Sequence, residues 1–261
     1  MTTQKLHATF LSMVKDPLSA WLNTSIMGRA QRNEVLSTSI ISILENRSHH
    51  EVDDTPYGGG AGELMRIDVI APLINQALEQ HPEVSRSQKR VILMDPAGKK
   101  FTQEHAQRLA NYSELIFVCG RFEGIDARVY YYIDEALSLG DFVISCGELA
   151  ALSIFDATAR LVSGVLGNNK SLECESHIAG RLESSNYTRP ADFEGLKVPE
   201  VLKNGNHQLI SRARQEESLY KTATLRPDLI EKFPLSPHEE NILRQSVPTS
   251  YPWQKNGEVY E

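Results

Sequence analysis

At its centre the chain reads Leu115-Ile116-Phe117-Val118-Cys119-Gly120-Arg121-Phe122-Glu123-Gly124, an apolar segment that ends at a glycine-bearing turn. The same arrangement occurs at residues 91–94 followed by 95–98, and at residues 142–144 followed by 145–149. Apolar segments of this length are typical of strands covered on both faces of a parallel sheet. Such sheets bind ligands beyond the carboxyl ends of their strands, where loops expose backbone groups. The three segments therefore predict one composite small-molecule pocket.

The segments around these predicted strands favour helices. Thr102 is a candidate N-cap, and helices are predicted near residues 125–136 and from Glu148 to about Leu161. Upstream, residues 17–37 are predicted to be helical and residues 38–44 to form a strand. A further helix has an apolar face made of Ile67, Ile70, Leu73, Ile74 and Ala77. Strands that alternate with helices predict an α/β domain with a parallel sheet.

Residues 58–62 contain four glycines in five positions, which cannot form a packed element. They predict a loop whose backbone can lie close to a partner. His49 and His50 precede this loop, but no third ligand follows at a suitable spacing, so no metal site is predicted.

The chain changes character after residue 164. Residues 164–185 are polar and irregular and predict a linker. Helices are predicted over residues 207–221, with Asn206 as the cap, and over 226–232 and 236–246. The final residues, 248–261, are expected to be poorly ordered.

The bulk composition limits the possible function classes. The 261 residues contain 41% hydrophobic and 23% charged side chains, as in ordinary globular proteins. No apolar segment approaches the length that spans a bilayer, and no signal-like segment follows Met1, so neither a membrane partner nor export is expected. Three cysteines without CxxC spacing predict no disulfide framework or zinc site and favour the cytoplasm. The net charge of −7 disfavours indiscriminate binding of polyanions but leaves a local basic patch open.

Six ordered blocks of sequence together carry a family resemblance. They comprise residues 52–62, 120–129, 140–145, 164–167, 187–190 and 205–207, with Pro56-Tyr57-Gly58-Gly59-Gly60, Gly120-Arg121-Phe122-Glu123-Gly124 and Tyr187-Thr188-Arg189-Pro190 among them. The set closely resembles the bacterial tRNA (guanine-N1)-methyltransferases that modify guanosine 37, beside the anticodon. The similarity runs from about Gly28 to Pro227 in the same order.

The resemblance implies a SPOUT-type α/β fold with a C-terminal trefoil knot and a small all-α C-terminal domain. Carried onto this chain, it implies a knotted methyltransferase domain over residues 1–166 and a flexible linker with the catalytic carboxylate over 167–184. A helical tRNA-binding domain over 185–250 and a tail over 251–261 would follow. It also implies an obligate homodimer with shared active sites, S-adenosylmethionine as methyl donor, and tRNA with guanosine at positions 36 and 37 as substrate. Family members are helped by magnesium and guard the reading frame; no motif in this chain indicates a magnesium site.

The resemblance assigns the cofactor pocket to three segments. Glycines allow backbone groups to close on the adenine and ribose, and Glu123 can meet the cationic end of the donor. The implied cofactor residues are Leu93, Met94, Asp95, Pro96, Gly98, Gly120, Glu123, Ser138, Leu139, Gly140, Asp141, Phe142, Val143, Ile144, Ser145, Cys146, Gly147 and Ala150.

Methylation at N1 of guanine needs a base near N1 and a cation or donor near O6, where negative charge builds. The family supplies an aspartate from the linker and an arginine from the helix before Gly164-Val165-Leu166-Gly167. The arginine matches Arg160, and alignment places Glu175 at the aspartate position. Because glutamate is one methylene longer, this departure shifts the base. Glu173 is the alternative base, and His177 is a more distant one.

Contact with RNA is expected where cations can meet phosphates and exposed backbone can meet splayed bases. The target base must leave its stack to reach the methyl group. The candidates are Asp54, Tyr57, Gly59, Gly60, Ser176, Arg189, Arg212, Arg214 and Lys221.

Two rival functions stay open from the sequence. One is a tRNA-binding homologue whose catalysis is weakened by departures such as Glu175, Cys146 for a usual glycine, and Ala213 for a usual tryptophan. The other is an unknotted α/β nucleotide-binding enzyme, which is disfavoured because the chain has neither a P-loop nor a G-x-G-x-x-G turn that opens a helix.

Overall fold

The structure is a computed structural model that describes residues 5–167, 175–245 and 251–254. The chain divides into two compact units, Met1–Asn169 and Lys170–Glu261. Among the described residues, no helix is both long enough and apolar enough to cross a membrane.

The first unit is an α/β fold built on a five-stranded sheet. Its elements, in chain order, are β1 (Leu6–Ser12), α1 (Asp16–Leu22), α2 (Ser25–Arg32), β2 (Leu36–Ser42), β3 (Asp53–Asp54), β4 (Leu64–Met65), α3 (Ile67–Glu79), β5 (Lys89–Lys100), α4 (Gln103–Leu109), β6 (Glu114–Cys119), β7 (Glu135–Ser138) and α5 (Gly147–Ala159). The strand order is β2-β1-β6-β5-β7, and every neighbouring pair is parallel. β3 and β4 form a separate antiparallel hairpin.

The core lies on both faces of this sheet, as the apolar segments predicted. All six residues of β6 are buried, and its apolar residues, from Leu115 to Cys119, alternate between two hydrophobic clusters. On one face Phe117 stacks on Phe10 and meets Phe155 of α5 edge-on. On the other face α3 packs with Ile70 and Ile74 fully buried. The prediction of a covered parallel sheet is therefore confirmed.

Two helix predictions of the first unit are confirmed closely. Thr102 is the N-cap of α4, where its side chain and that of His105 form a capping box. The predicted helix from Glu148 to Leu161 corresponds to α5.

The predicted helix over residues 17–37 is wrong in its extent. Asn23 ends α1, and Thr24 takes an extended conformation before α2 begins. After α2, Glu34 adopts a left-handed φ of 56°, which stops helical propagation. β2 consequently starts at Leu36, two residues before the predicted strand.

The third predicted strand is also wrong. Residues 142–144 form an exposed loop, in which Val143 is 90% accessible. The strand is β7, which lies earlier, and the predicted helix near 125–136 is reduced to one 3-10 turn at Ala127–Tyr131. Glu135 makes β7 look unlike a strand in the sequence, but its carboxylate accepts hydrogen bonds from Arg90 and Arg108.

The second unit contains α6 (His207–Leu225), α7 (Pro227–Lys232) and α8 (Pro237–Gln245). These confirm the three predicted helices, and Asn206 caps α6 by accepting from the backbone N–H groups of Gln208 and Leu209. A short hairpin of β8 (Asp192–Phe193) and β9 (Leu196–Lys197) was missed by the all-helical prediction.

The described parts of the predicted linker and tail contact this helical unit. The backbone N–H of Leu182 donates to Thr222 Oγ1 of α6 at 2.8 Å, and Arg181 pairs with Glu239 at 3.0 Å. Trp253 donates from Nε1 to Glu217 at 3.3 Å. Residues 168–174 of the predicted linker and 255–261 of the predicted tail lie outside the described residues.

Candidate functional site

A cavity of about 440 Å³ lies at the carboxyl ends of β6 and β7, beside the point near Met94 where β5 stops pairing with β6. Three segments line it, at residues 93–97, at residues 120–125, and at residues 137–140 with 142–147, together with Ala150 of α5. Every cofactor residue implied by the sequence lies in these walls except Gly98 and Asp141. The third segment follows β7, so the pocket forms although the third predicted strand was wrong.

Gly147 brings the third segment against the ends of the two central strands. Its N–H donates to the carbonyl of Gly120 at 2.9 Å. A Cβ at this position would lie 2.8 Å from Gly120 N and 3.1 Å from Met94 Cβ, so only glycine allows the approach. The chain leaves β7 at the sheet edge and therefore crosses the end of β5 to reach β6.

Asp95 fixes the first segment. One carboxylate oxygen accepts from Ala97 N at 2.7 Å, and the other accepts from the hydroxyl of Tyr130 at 3.1 Å. Burial and the negative charge of Asp95 together raise the pKa of Tyr130, which therefore remains a hydrogen-bond donor.

Gly98 and Asp141 lie outside the cavity walls. A Cβ at Gly98 would lie 2.6 Å from the backbone of Ala136 and Leu137, so this glycine lets β5 pack against β7. The Asp141 carboxylate is exposed and pairs with Lys100 at 3.4 Å.

The walls also contain residues that the sequence did not single out. They are Ala97, Arg121, Phe122, Gly124, Ile125 and Leu137. Five of the six lie inside or directly beside the predicted glycine-bearing turns, and that position was the available signal.

The predicted RNA loop is joined to the second wall of the cavity. The backbone N–H of Met65 donates to Gly124, and that of Glu123 donates to Glu63. A Cβ at Gly62 would lie 2.9 Å from Glu123 Oε1. The loop itself is exposed at Asp54, Tyr57, Gly59 and Gly60, with both glycines at positive φ. The structure thus brings part of the predicted RNA surface next to the cavity.

Glu148 is a buried carboxylate beside the cavity that the sequence analysis did not single out. Its Oε1 accepts from Ser12 Oγ at 2.7 Å and from Arg121 Nε at 3.3 Å. Burial, together with the negative charge of Glu148, raises the pKa of the neighbouring Cys119 thiol. Cys119 is therefore a buried, unreactive thiol.

The two candidate catalytic residues lie in different units. Arg160 is the C-cap of α5, and its backbone N–H donates to the carbonyl of Asp156. Burial raises the pKa of Asp156, and the charge of Arg160 opposes that shift. In the second unit, the Glu175 carbonyl accepts from Ile178 N. Glu173, the alternative base, lies outside the described residues.

The remaining RNA candidates all lie in the second unit. Arg189 and Arg214 are exposed, and neither has a side-chain partner among the described residues. Arg212 pairs with Glu216 at 2.8 Å. Lys221 Nζ donates to the carbonyl of Glu183, and Ser176 Oγ accepts from Glu183 N.

Within the described parts of the chain, one group of side chains could converge on a metal ion: His7, His81 and Glu114. It lies at the amino ends of β1 and β6, whereas the cavity lies at the opposite, carboxyl ends of the strands. His49 and His50 lie instead in an exposed 3-10 turn.

The model of one protein family, tRNA (guanine-1)-methyltransferase TrmD, matches residues 6–232. This chain belongs to that family. Among its relatives, the tRNA (guanine-N(1)-)-methyltransferase of Lacticaseibacillus paracasei is 45% identical over 226 residues, which cover 86% of this chain and 87% of the relative. That of Limosilactobacillus fermentum is 44% identical and covers 92% and 95%. Membership of the TrmD family confirms the family resemblance, and the match spans all three walls of the cavity.

Proposed function

We propose that this chain methylates N1 of guanosine 37 in tRNA, with S-adenosylmethionine as donor and tRNAs that carry guanosine at 36 and 37 as substrates. Family membership gives the reaction class, methylation of a tRNA guanine at N1. The observation that carries the proposal is the cavity at the carboxyl ends of β6 and β7, beside residues 93–97 of β5 and inside the matched region. Support of the reading frame follows as the proposed physiological role.

The residues of the cavity fit this donor. Its volume lies within the usual range for small-molecule sites. Leu137, Leu139 and Ile144 provide apolar wall for an adenine ring, while the glycine backbones supply hydrogen-bonding groups. Glu123 lies at the rim and offers a carboxylate to a cation. When bound, the donor supplies a methyl group on a sulfonium.

The proposed roles of Glu175 and Arg160 follow from the charge that methylation creates. N1 of neutral guanine carries a proton, and Glu175 would accept it as methylation proceeds. Arg160 would stabilise the negative charge that builds on O6. The proposed base lies in a turn that is hydrogen-bonded to the helical unit, through Leu182 and α6.

The finer architecture is also part of the proposal. The third wall passes over β5 to reach Gly120 at the end of β6, which supports a trefoil knot within residues 1–166. The proposed linker then covers residues 167–184, the helical domain 185–250 and the tail 251–261. Exposed apolar side chains on the first unit, including Tyr57, Tyr131 and Val143, support a homodimer with shared active sites. A cytoplasmic location and assistance by magnesium are proposed from the family alone.

Transfer of a labelled methyl group to tRNA transcripts tests the function. We expect label on a transcript with guanosine at 36 and 37, and primer extension that stops at position 37. A matched transcript with adenosine at 37 should remain unlabelled. Label at another nucleotide, or none on either transcript, would contradict the proposal.

The variant Glu175→Gln tests the proposed base. Removal of a general base costs about 10²- to 10⁴-fold in rate, so we expect methyl transfer to fall by that factor while binding of S-adenosylhomocysteine is retained. Glu173→Gln is the matched control and should keep most of the activity. If Glu173→Gln loses transfer and Glu175→Gln does not, the base is Glu173.

The second candidate function is a catalytically weakened tRNA-binding homologue. The substitution of glutamate at the aspartate position favours it. Retained tRNA binding without any transfer of label would support this alternative and would reject methylation as the function.

A further inference from the structure

Arg121 lines the cavity, and most of its guanidinium N–H groups donate no hydrogen bond within the described residues. It lies in the second wall, between Gly120 and Phe122. Its Nε donates to Glu148 Oε1 at 3.3 Å, which uses one of the five guanidinium N–H groups. Within residues 5–167, Nη1 and Nη2 donate to no other side chain or carbonyl. The side chain is 29% accessible, so the guanidinium is half-buried.

Glu148 holds this guanidinium from below. The carboxylate is buried, and its second hydrogen bond comes from Ser12 at the end of β1. Its other oxygen, Oε2, is buried without a hydrogen-bond donor in the described part of the chain. A carboxylate left in this state is expensive unless a cation stays close. Arg121 is therefore held by the start of α5 and the end of β1 in addition to its own loop.

Glu123 lies two residues beyond Arg121 in the same wall and carries the opposite charge. Phe122 between them adopts a left-handed φ of 56°. The wall therefore presents a cation and an anion within one short turn, and this pattern matches the zwitterion of an α-amino acid.

We propose that Arg121 binds the carboxylate of the methionyl portion of the cofactor and that Glu148 positions Arg121, while the ammonium group falls to Glu123 as the family resemblance already implied. The inference rests on the proposed function, because it concerns the same cavity. Arginine suits this role because its two terminal nitrogens match the two oxygens of a carboxylate.

Two nucleoside ligands separate this role from general support of the cavity. S-adenosylhomocysteine carries the amino-acid end, whereas 5′-methylthioadenosine has the same adenosine and sulfur without it. Calorimetric titration of the full chain with each ligand should show that Arg121→Met weakens S-adenosylhomocysteine by about 10- to 100-fold, the range for a lost hydrogen bond to a charged group. Binding of 5′-methylthioadenosine should change less than about twofold, because an adenosine without a carboxylate makes no use of the guanidinium.

Glu148→Gln tests the positioning role with the same two ligands. We expect a smaller loss of S-adenosylhomocysteine affinity, by about 3- to 10-fold, again with 5′-methylthioadenosine unchanged, because the guanidinium remains but loses its charged partner. Arg121→Lys keeps a cation but loses the paired terminal nitrogens, so its affinity for S-adenosylhomocysteine should lie between those of the wild type and Arg121→Met. Arg128→Met is the matched control, since Arg128 pairs with Asp126 on the surface and lies outside the cavity walls.

The outcomes are distinguishable. Equal weakening of both ligands by Arg121→Met, or no weakening of either, overturns the assignment of Arg121. An unchanged ligand preference in Glu148→Gln overturns its positioning role. Wild-type protein that binds neither ligand overturns the proposed function together with this inference.

Discussion

The substitution Gly98→Ala separates two roles for a glycine that the sequence assigned to the cofactor pocket. In the structure Gly98 lies outside the cavity walls, in the irregular stretch of β5 between Met94 and Lys99 that interrupts its pairing with β7. A Cβ there would lie 2.6 Å from Ala136 C and from Leu137 N, and 2.8 Å from Ala136 O. All three are backbone atoms, which cannot rotate away as a side chain can.

The cost follows from that geometry. Ordinary carbon contacts lie near 3.5–4.0 Å, so the two strands must separate by roughly 1 Å or their pairing must distort. Overpacking of this kind typically costs about 1–3 kcal/mol. For a unit of this size, each kcal/mol lowers Tm by about 2–4 °C, so a decrease of about 2–12 °C is expected.

Thermal unfolding and titration with S-adenosylhomocysteine measure the two effects separately. The matched control is Gly167→Ala, because a Cβ at Gly167 would meet no atom of the described residues within 4 Å. We expect a lower Tm for Gly98→Ala and little change for Gly167→Ala. A Gly98→Ala protein with unchanged Tm and strongly weakened ligand binding would refute the packing argument and favour a direct cofactor contact.

Two further predictions concern buried charged and polar residues at the amino ends of the strands. Lys89 Nζ lies 2.9 Å from the buried Glu114 Oε2, outside hydrogen-bond geometry, and donates to the carbonyls of Leu78 and His81. Lys89→Met leaves the Glu114 carboxylate buried without its cation, so it should lower the free energy of unfolding in urea by about 3–5 kcal/mol. The control is Lys5→Met at the exposed Lys5–Glu34 pair, which should change that free energy by less than about 1 kcal/mol. Equal effects of the two variants would contradict the buried-pair argument. Burial, aided by the charges of His81 and Lys89 and opposed by that of Glu83, lowers the pKa of His7 from 6.5 to about 4. Because the unfolded chain binds the proton more readily than the folded chain, the free energy of unfolding should fall as the pH decreases from about 6.5 to about 4. In His7→Gln, the free energy of unfolding measured in urea should decrease less steeply across that window. A pH dependence identical to wild type would reject the assignment to His7.

The sequence predicted the central strands well because their burial on both faces leaves a direct apolar signal. β7 was missed for the opposite reason. Its first residue, Glu135, and the preceding Asp134 are acidic, and their partners are distant in the sequence: Arg90 and Arg108 for Glu135, and the backbone N–H of Val91 for Asp134. Only the folded sheet brings these partners together, so local pattern alone could not identify the strand.

The segment 142–144 gave a false signal of the same kind. Its apolar residues resemble a buried strand, but Phe142 and Val143 are exposed in the first unit. A cavity nevertheless lies among the residues that were expected to form the pocket, because the misassigned segment follows β7 and forms the third wall. The error in the position of this strand therefore did not change which residues were expected to surround the cavity.

The pair formed by Arg121 and Glu148 illustrates what the sequence could not show. The two residues are separated by 26 intervening positions, and each alone is an ordinary charged residue next to a glycine. The approach of Gly147 to Gly120 brings α5 to the end of β6 and places the carboxylate beneath the guanidinium. The charge pair is a consequence of the same glycine contact that closes the cavity.

The second wall also joins the cavity to the glycine-rich loop. Three backbone hydrogen bonds connect residues 63–65 to residues 123–126, and Gly62 packs against the Glu123 side chain. A displacement of either loop must break these bonds or carry the other loop with it. Glu123 and Arg121 belong to the same turn, so these hydrogen bonds join the glycine-rich loop to the segment that carries both charged residues of the cavity.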